Sequence, residues 1–188
     1  MKNSFIVKLF LITITGSGCY SPVDSNLVPS NKSIDLEKVD HKNWTLHIDE
    51  YVNIAPWDDP PTILVCDDSN IDIEEIRKAS KFWIDHDHEI KGVYSESERF
   101  ACNDGKIKGV IQIQGERDNI DIKKDFAVAM RSVKKNLSGK VTMWGVNIEI
   151  ASDSGGHWKI PVHEIGHALG YEHHDDPTDL MHIKHKCD

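Results

Sequence analysis

His163-Glu164-Ile165-Gly166-His167-Ala168-Leu169-Gly170-Tyr171-Glu172-His173 brings three imidazoles and a carboxylate within reach of one point. His163 and His167 are four residues apart, so on a helix they lie one above the other on the same face. Two neutral imidazoles at that spacing can hold one divalent metal from one side. Glu164 follows the first of them directly, which turns its carboxylate beside the metal rather than onto it. A general base that takes a proton from a metal-bound water must sit there. Gly170 tolerates the left-handed backbone that ends a helix. The chain can then turn back and bring His173 to a third ligand position.

Five fixed positions, each filled at a frequency of about 6%, would recur by chance on the order of 10⁻⁴ times in this chain. A bare His-Glu-x-x-His would be far weaker, because histidine-rich helix surfaces produce it by accident. The competing reading is a solvated, histidine-rich helix end, which explains neither Glu164 nor Gly170.

These residues resemble the extended zinc signature of the metzincins, metallopeptidases with three histidine ligands and a catalytic glutamate. A methionine-containing turn lies under the metal in that family, and Met181, in Asp179-Leu180-Met181, follows His173 by eight residues. That spacing, with Pro177 inside it, is similar to the matrixin branch. The likeness is specific over residues 163–181. Over roughly 62–160 it rests on the order of elements. The resemblance implies an α+β, metzincin-like (zincin) domain: a twisted mixed β-sheet, a long helix and an active-site helix. It implies Zn²⁺ on His163, His167 and His173, Glu164 as the catalytic residue, and Met181 and Gly170 supporting the site.

The chain departs from the branch in places. His174 stands where a matrixin usually has serine, and no tyrosine lies two residues past Met181, against branches that use one as an extra ligand. After Met181 only His182-Ile183-Lys184-His185-Lys186-Cys187-Asp188 remain, so a shortened C-terminal subdomain is expected. Some matrixins also carry structural zinc and calcium. Asp85-His86-Asp87-His88-Glu89 and Asp67-Asp68 are the nearest donors for such an ion, although charge crowding on a solvated helix end accounts for the first run. Nothing in the residues calls for Ca²⁺.

The 188 residues have room for one domain with a sizeable core. The net charge of −9 becomes −11 without the first eighteen residues, since Lys2 and Lys8 leave and no acid does. An acidic surface argues against nucleic acid as a partner. Lys2, the apolar run Phe5 to Ile14 (interrupted by Lys8) and Gly16-Ser17-Gly18 read as an export signal over 1–18, too short to span a membrane. Small residues before Cys19 resemble a bacterial lipoprotein cleavage box, which would make Cys19 the lipidated first residue of an envelope protein. Ordinary secretion and an uncleaved anchor are the alternatives.

Residues 19–43 are polar, with Ser, Asn, Asp, Pro and Lys, as expected of a flexible tether. Residues 44–188 form the expected catalytic domain. Trp44 to Ile48 reads as an edge strand or an arm lying on that domain. Cys66 ends an expected strand and Cys102 lies in a later loop, so these two are the expected disulfide. Cys187 is then free, intermolecular or near the metal.

Thr62 to Cys66 reads as a buried strand. Asp72 with Glu75 marks a helix start, and Ile73, Ile76, Ser80 and Trp83 give it one apolar face, flanked by Phe82 and Ile84. Strands are expected at Ile90 to Tyr94 and Lys106 to Gln114. A helix is expected from Asp125 to Leu137 (Phe126, Val128, Ala129, Val133, Leu137), ended by Gly139. Val141 to Ala151 alternates as one strand or as a hairpin around Gly145. As the strand before the metal-binding helix, it is expected to present the sheet edge to an extended peptide. Pro161 suits the first turn of that helix.

The functional expectation is an exported zinc metalloendopeptidase, a monomer acting on protein or peptide. It would touch a membrane only through a lipid at Cys19, and Glu164 would activate a zinc-bound water. The alternative is a zinc-binding surface lipoprotein whose peptidase-like domain is a binding module, although such a module has no need of Glu164.

Overall fold

The computed structural model describes residues 55–98, 102, 106–116, 127–151 and 159–182. The export segment, the tether, Trp44 to Ile48, Cys19, His185 and Cys187 lie outside them. Seven elements follow in chain order: β1 (Thr62–Val65), α1 (Ile73–Asp85), β2 (Gly92–Ser95), β3 (Val110–Gly115), β4 (Ala127–Lys135), β5 (Val141–Ile150) and α2 (Lys159–Leu169). They form an α+β domain with one five-stranded mixed sheet in the order β2-β1-β3-β5-β4, the fold class expected. β1 pairs in parallel with β2 and β3, β3 in parallel with β5, and β5 antiparallel with β4.

Burial explains the parallel strands. β1 and β3 are buried throughout, as parallel strands usually are; β1 is a short apolar run, whereas β3 alternates its isoleucines with the buried amides of Gln112 and Gln114. Ile63, Val65, Ile111, Ile113, Val146, Ile148 and Ile150 share one core with Ile76 and Trp83 of α1 and Val162, Ile165 and Ala168 of α2. α1 starts where the Asp72 side chain accepts the Glu74 amide at 2.9 Å, satisfying one of the orphan donors of a helix N-terminus. Ile84 flanks the apolar face but is exposed. Trp83 is wholly buried, and its indole N–H donates to the Val162 carbonyl at 2.8 Å. That single bond fixes α1 against the first turn of α2. Among the described residues no helix is long and apolar enough to cross a membrane.

The helix expected over Asp125 to Leu137 is instead strand β4. Its Ala, Met, Arg and Lys favour a helix in isolation, but Ala127, Ala129 and Val133 alternate and register against Ile150, Ile148 and Met143. Cross-strand packing overrides local propensity. Gly139 (φ +87°) belongs to the hairpin turn, where the Asn136 carbonyl accepts the Gly139 amide at 3.0 Å and Asn136 Oδ1 the Lys140 amide at 2.9 Å.

β5 is one continuous strand, with a register shift that leaves Trp144 as an extra residue opposite Ser132 and Val133. Gly145 marks a crossing rather than a turn: a Cβ there would stand 2.5 Å from the Ile107 carbonyl oxygen. Because β5 lies between β3 and β4, the sheet edge beside α2 among the described residues is β4, not the strand before α2 as expected.

Candidate metal centre

The last two turns of α2 carry His163, Glu164 and His167, all buried. Gly170 takes φ +108°, and the amides of Gly170 and Tyr171 bond back to the carbonyls of His167 and Gly166 at 3.1 and 3.0 Å. This helix end turns the chain so that His173 faces the helix it has just left. Its Nε2 lies 3.3 Å from His163 Nε2 and 3.1 Å from His167 Nε2.

Hydrogen bonds at the far nitrogens decide what these atoms carry. His163 Nδ1 lies 2.9 Å from the Leu180 carbonyl oxygen, and His167 Nδ1 lies 2.8 Å from that of Tyr171. A carbonyl only accepts, so each Nδ1 is the protonated nitrogen and each Nε2 presents a lone pair. A proton on His173 Nε2 could serve one of the two neighbours and leaves lone pair against lone pair at the other. A cation serves all three. Nitrogens held roughly 2.0–2.1 Å from a tetrahedral zinc are about 3.3 Å apart, which matches the observed spacings. The cluster fits a zinc site, and the two carbonyls are the outer partners that hold metal-binding histidines in orientation.

Burial favours the neutral form of His167 and His173. Burial pushes the His167 imidazole down to about 3, helped by the neighbouring His173. Burial also lowers His173, outweighing the upward pull of the Glu172 carboxylate. Neutral imidazoles need no deprotonation before a metal binds.

Met181 is fully buried under α2. Its amide donates to Asp179 Oδ1 at 2.6 Å and its carbonyl accepts the His174 amide at 2.9 Å. The turn is therefore locked from both sides, and the same turn offers the Leu180 carbonyl to His163.

Cys66 and Cys102 are joined by a disulfide. Glu96 accepts the Cys102 amide at 3.0 Å beside it. Those three residues form a second cluster of potential donors among the described residues, but the sulfurs are committed to each other. Asp85, His86, Asp87, His88 and Glu89 do not converge. His86 Nδ1 donates to the Phe82 carbonyl at 2.7 Å, whereas His88 Nε2 meets the Tyr171 hydroxyl at 2.6 Å. Asp68 instead accepts the Gly115 amide at 3.1 Å.

Several residues around the centre carry no local signal in the sequence. Trp57 donates its indole N–H to the Ala168 carbonyl at 2.9 Å near the end of α2. Tyr171 stacks on Trp83 with ring centroids 5.0 Å apart. Arg131 pairs with Glu172. Only Tyr171 and Glu172, flanking the third histidine, could have drawn notice; the rest come from distant parts of the chain.

No protein-family model matches the chain, and no curated protein matches it. Among solved structures, metalloproteinase-II from Bacteroides fragilis aligns at 19% identity and a TM-score of 0.38. The alignment covers 73% of this chain and 49% of that one, so this chain spans about half the length of that protein.

Proposed function

We propose that the chain is an exported zinc metalloendopeptidase of the metzincin class, matrixin-like in its metal-binding turn. The observation that carries this reading is the convergence of three imidazole Nε2 atoms, at 3.1 and 3.3 Å, beside a buried glutamate. His163, His167 and His173 would hold the zinc. When bound, zinc supplies a Lewis acid that lowers the pKa of a coordinated water to about 7 and steadies negative charge on a carbonyl oxygen.

The chain's own residues do the rest. Glu164 takes the proton from the attacking water and returns it to the departing amine, acting first as base and then as acid. Its burial keeps competing solvent from that proton. The edge strand β4 holds an extended peptide by backbone hydrogen bonds alongside the metal centre. Met181 and its turn support the floor of the site.

Residues 1–18 direct export, 19–43 serve as a tether and 44–188 form the catalytic domain. Lipidation at Cys19 would fix a monomeric enzyme to the bacterial cell envelope. Its substrates are proteins or peptides.

The test is cleavage of a diverse unstructured peptide pool by the zinc-loaded full chain, beside Glu164→Gln. Cleavage by the wild type, with turnover lower by about 10²–10⁴ in the variant and zinc retained, is the expected result. Equal cleavage by both would remove Glu164 from the chemistry. Tight zinc binding with no cleavage by either would favour a binding module.

A further inference from the structure

The residue before the third histidine is held from a distance. Arg131 Nη2 lies 2.5 Å from Glu172 Oε1, with the two side chains 17% and 34% exposed. Other ion pairs are far wetter: Arg77–Glu74 on α1 is 40% and 58% exposed, and Lys81–Asp85 is 71% and 55%. Pairs of that exposed kind contribute little. The Arg131–Glu172 bond is short, charge-assisted and sheltered.

Its two ends belong to different elements. Arg131 sits on β4 opposite Val146, on the strand face that Ala129 and Val133 turn toward the core. Glu172 lies between Tyr171 and His173 in the loop that leaves α2. On its other side this loop is gripped by α1 and the turn that follows it, through the stacking of Tyr171 on Trp83 and its hydroxyl bond to His88. Tyr171 also offers its carbonyl to His167. The loop carrying the third ligand is thus clamped at Tyr171 by α1 and at Glu172 by β4.

We propose that Arg131 is a positioning residue, acting through Glu172 to set His173 against His163 and His167 and to tie the edge strand to the metal centre. This rests on the reading that the three histidines hold zinc. Without Arg131, His173 gains freedom and the Glu172 carboxylate beside it loses its counter-charge. Metal affinity then depends on a strand that supplies no ligand. A peptide pairing with β4 stiffens the same strap that orients His173.

The experiment compares the full chain with Arg131→Met, Arg131→Lys, Glu172→Gln and the Arg131→Met/Glu172→Gln double variant. Zinc affinity is read by chelator competition, ligand geometry by the visible spectrum of the cobalt-substituted protein, and kcat/KM on a peptide. Arg131→Met and Glu172→Gln should each weaken zinc binding about tenfold. The double variant should be no weaker than the worse single one, because both changes delete one bond. Arg131→Lys keeps the charge but not the planar fork, so its zinc affinity should fall between those of wild type and Arg131→Met. Glu172→Gln is isosteric, so it decides the question if methionine is not tolerated at 131. Wild-type zinc affinity and an unshifted cobalt spectrum in Arg131→Met and Glu172→Gln would overturn the proposal, as would additive losses in the double variant. A wild type that binds zinc yet cuts nothing overturns the peptidase reading alone, and the zinc and cobalt measurements still decide this one.

Discussion

Met181 packs so closely under Gly166 that a Cβ at position 166 would stand 2.5 Å from its Sδ and 2.6 Å from Trp83 Cζ2. α2, the turn that carries Met181 and α1 meet at that one glycine. A methionine can swing its sulfur aside, but the indole of Trp83 is held by its bond to Val162.

Gly166→Ala sets two effects against each other. Alanine gains about 1 kcal/mol of helix propensity over glycine, while overpacking a filled core costs about 1–3 kcal/mol. With two contacts this short, packing should win. Urea unfolding should show a net loss of up to about 2 kcal/mol, and zinc affinity should fall with it. A stabilised variant would show that Met181 does not press on the helix.

Acid should weaken the chelator-treated protein. Burial lowers His88, His167 and His173 in the folded chain, whereas unfolded imidazoles titrate near pH 6.5. Below that pH the unfolded chain binds protons that the folded chain refuses, so the stabilising contribution is complete above about pH 6.5 and is lost on acidification. The urea midpoint should be flat from about pH 8 to 7 and fall between about 6.5 and 5.5. A midpoint that rises over that window contradicts the buried neutral histidines.

Cys66 and Cys102 close a loop with a sequence separation of 36. Cross-linking a loop of this length stabilises by roughly 3–4 kcal/mol through the unfolded chain. Replacing both cysteines with alanine should lower stability by about 2–4 kcal/mol and leave zinc stoichiometry unchanged, because neither sulfur belongs to the histidine cluster. Loss of zinc in that variant would place the disulfide in the support of the metal centre.

What could be read in the sequence is what depends on near neighbours. The His163/His167 spacing, the Asp72 cap and the buried run of β1 are properties of a few consecutive residues, and α2, α1 and β1 follow from them. β4 could not be read in this way. Residues 125–137 satisfy a helical pattern as well as a strand pattern, and only pairing with β5 decides between them. That misreading also moved the expected sheet edge from β4 to β5. Arg131 was hidden for the same reason: its partner Glu172 is 41 positions away, and inside an imagined helix it had no reason to face the site.

The central claim is most directly tested by X-ray absorption at the zinc edge on the full chain loaded with one equivalent of zinc. The account predicts tight equimolar binding with three imidazole nitrogens and one oxygen in the first coordination shell. Failure to bind zinc, or a shell closed by sulfur with no oxygen, would contradict a three-histidine site with an open position for water.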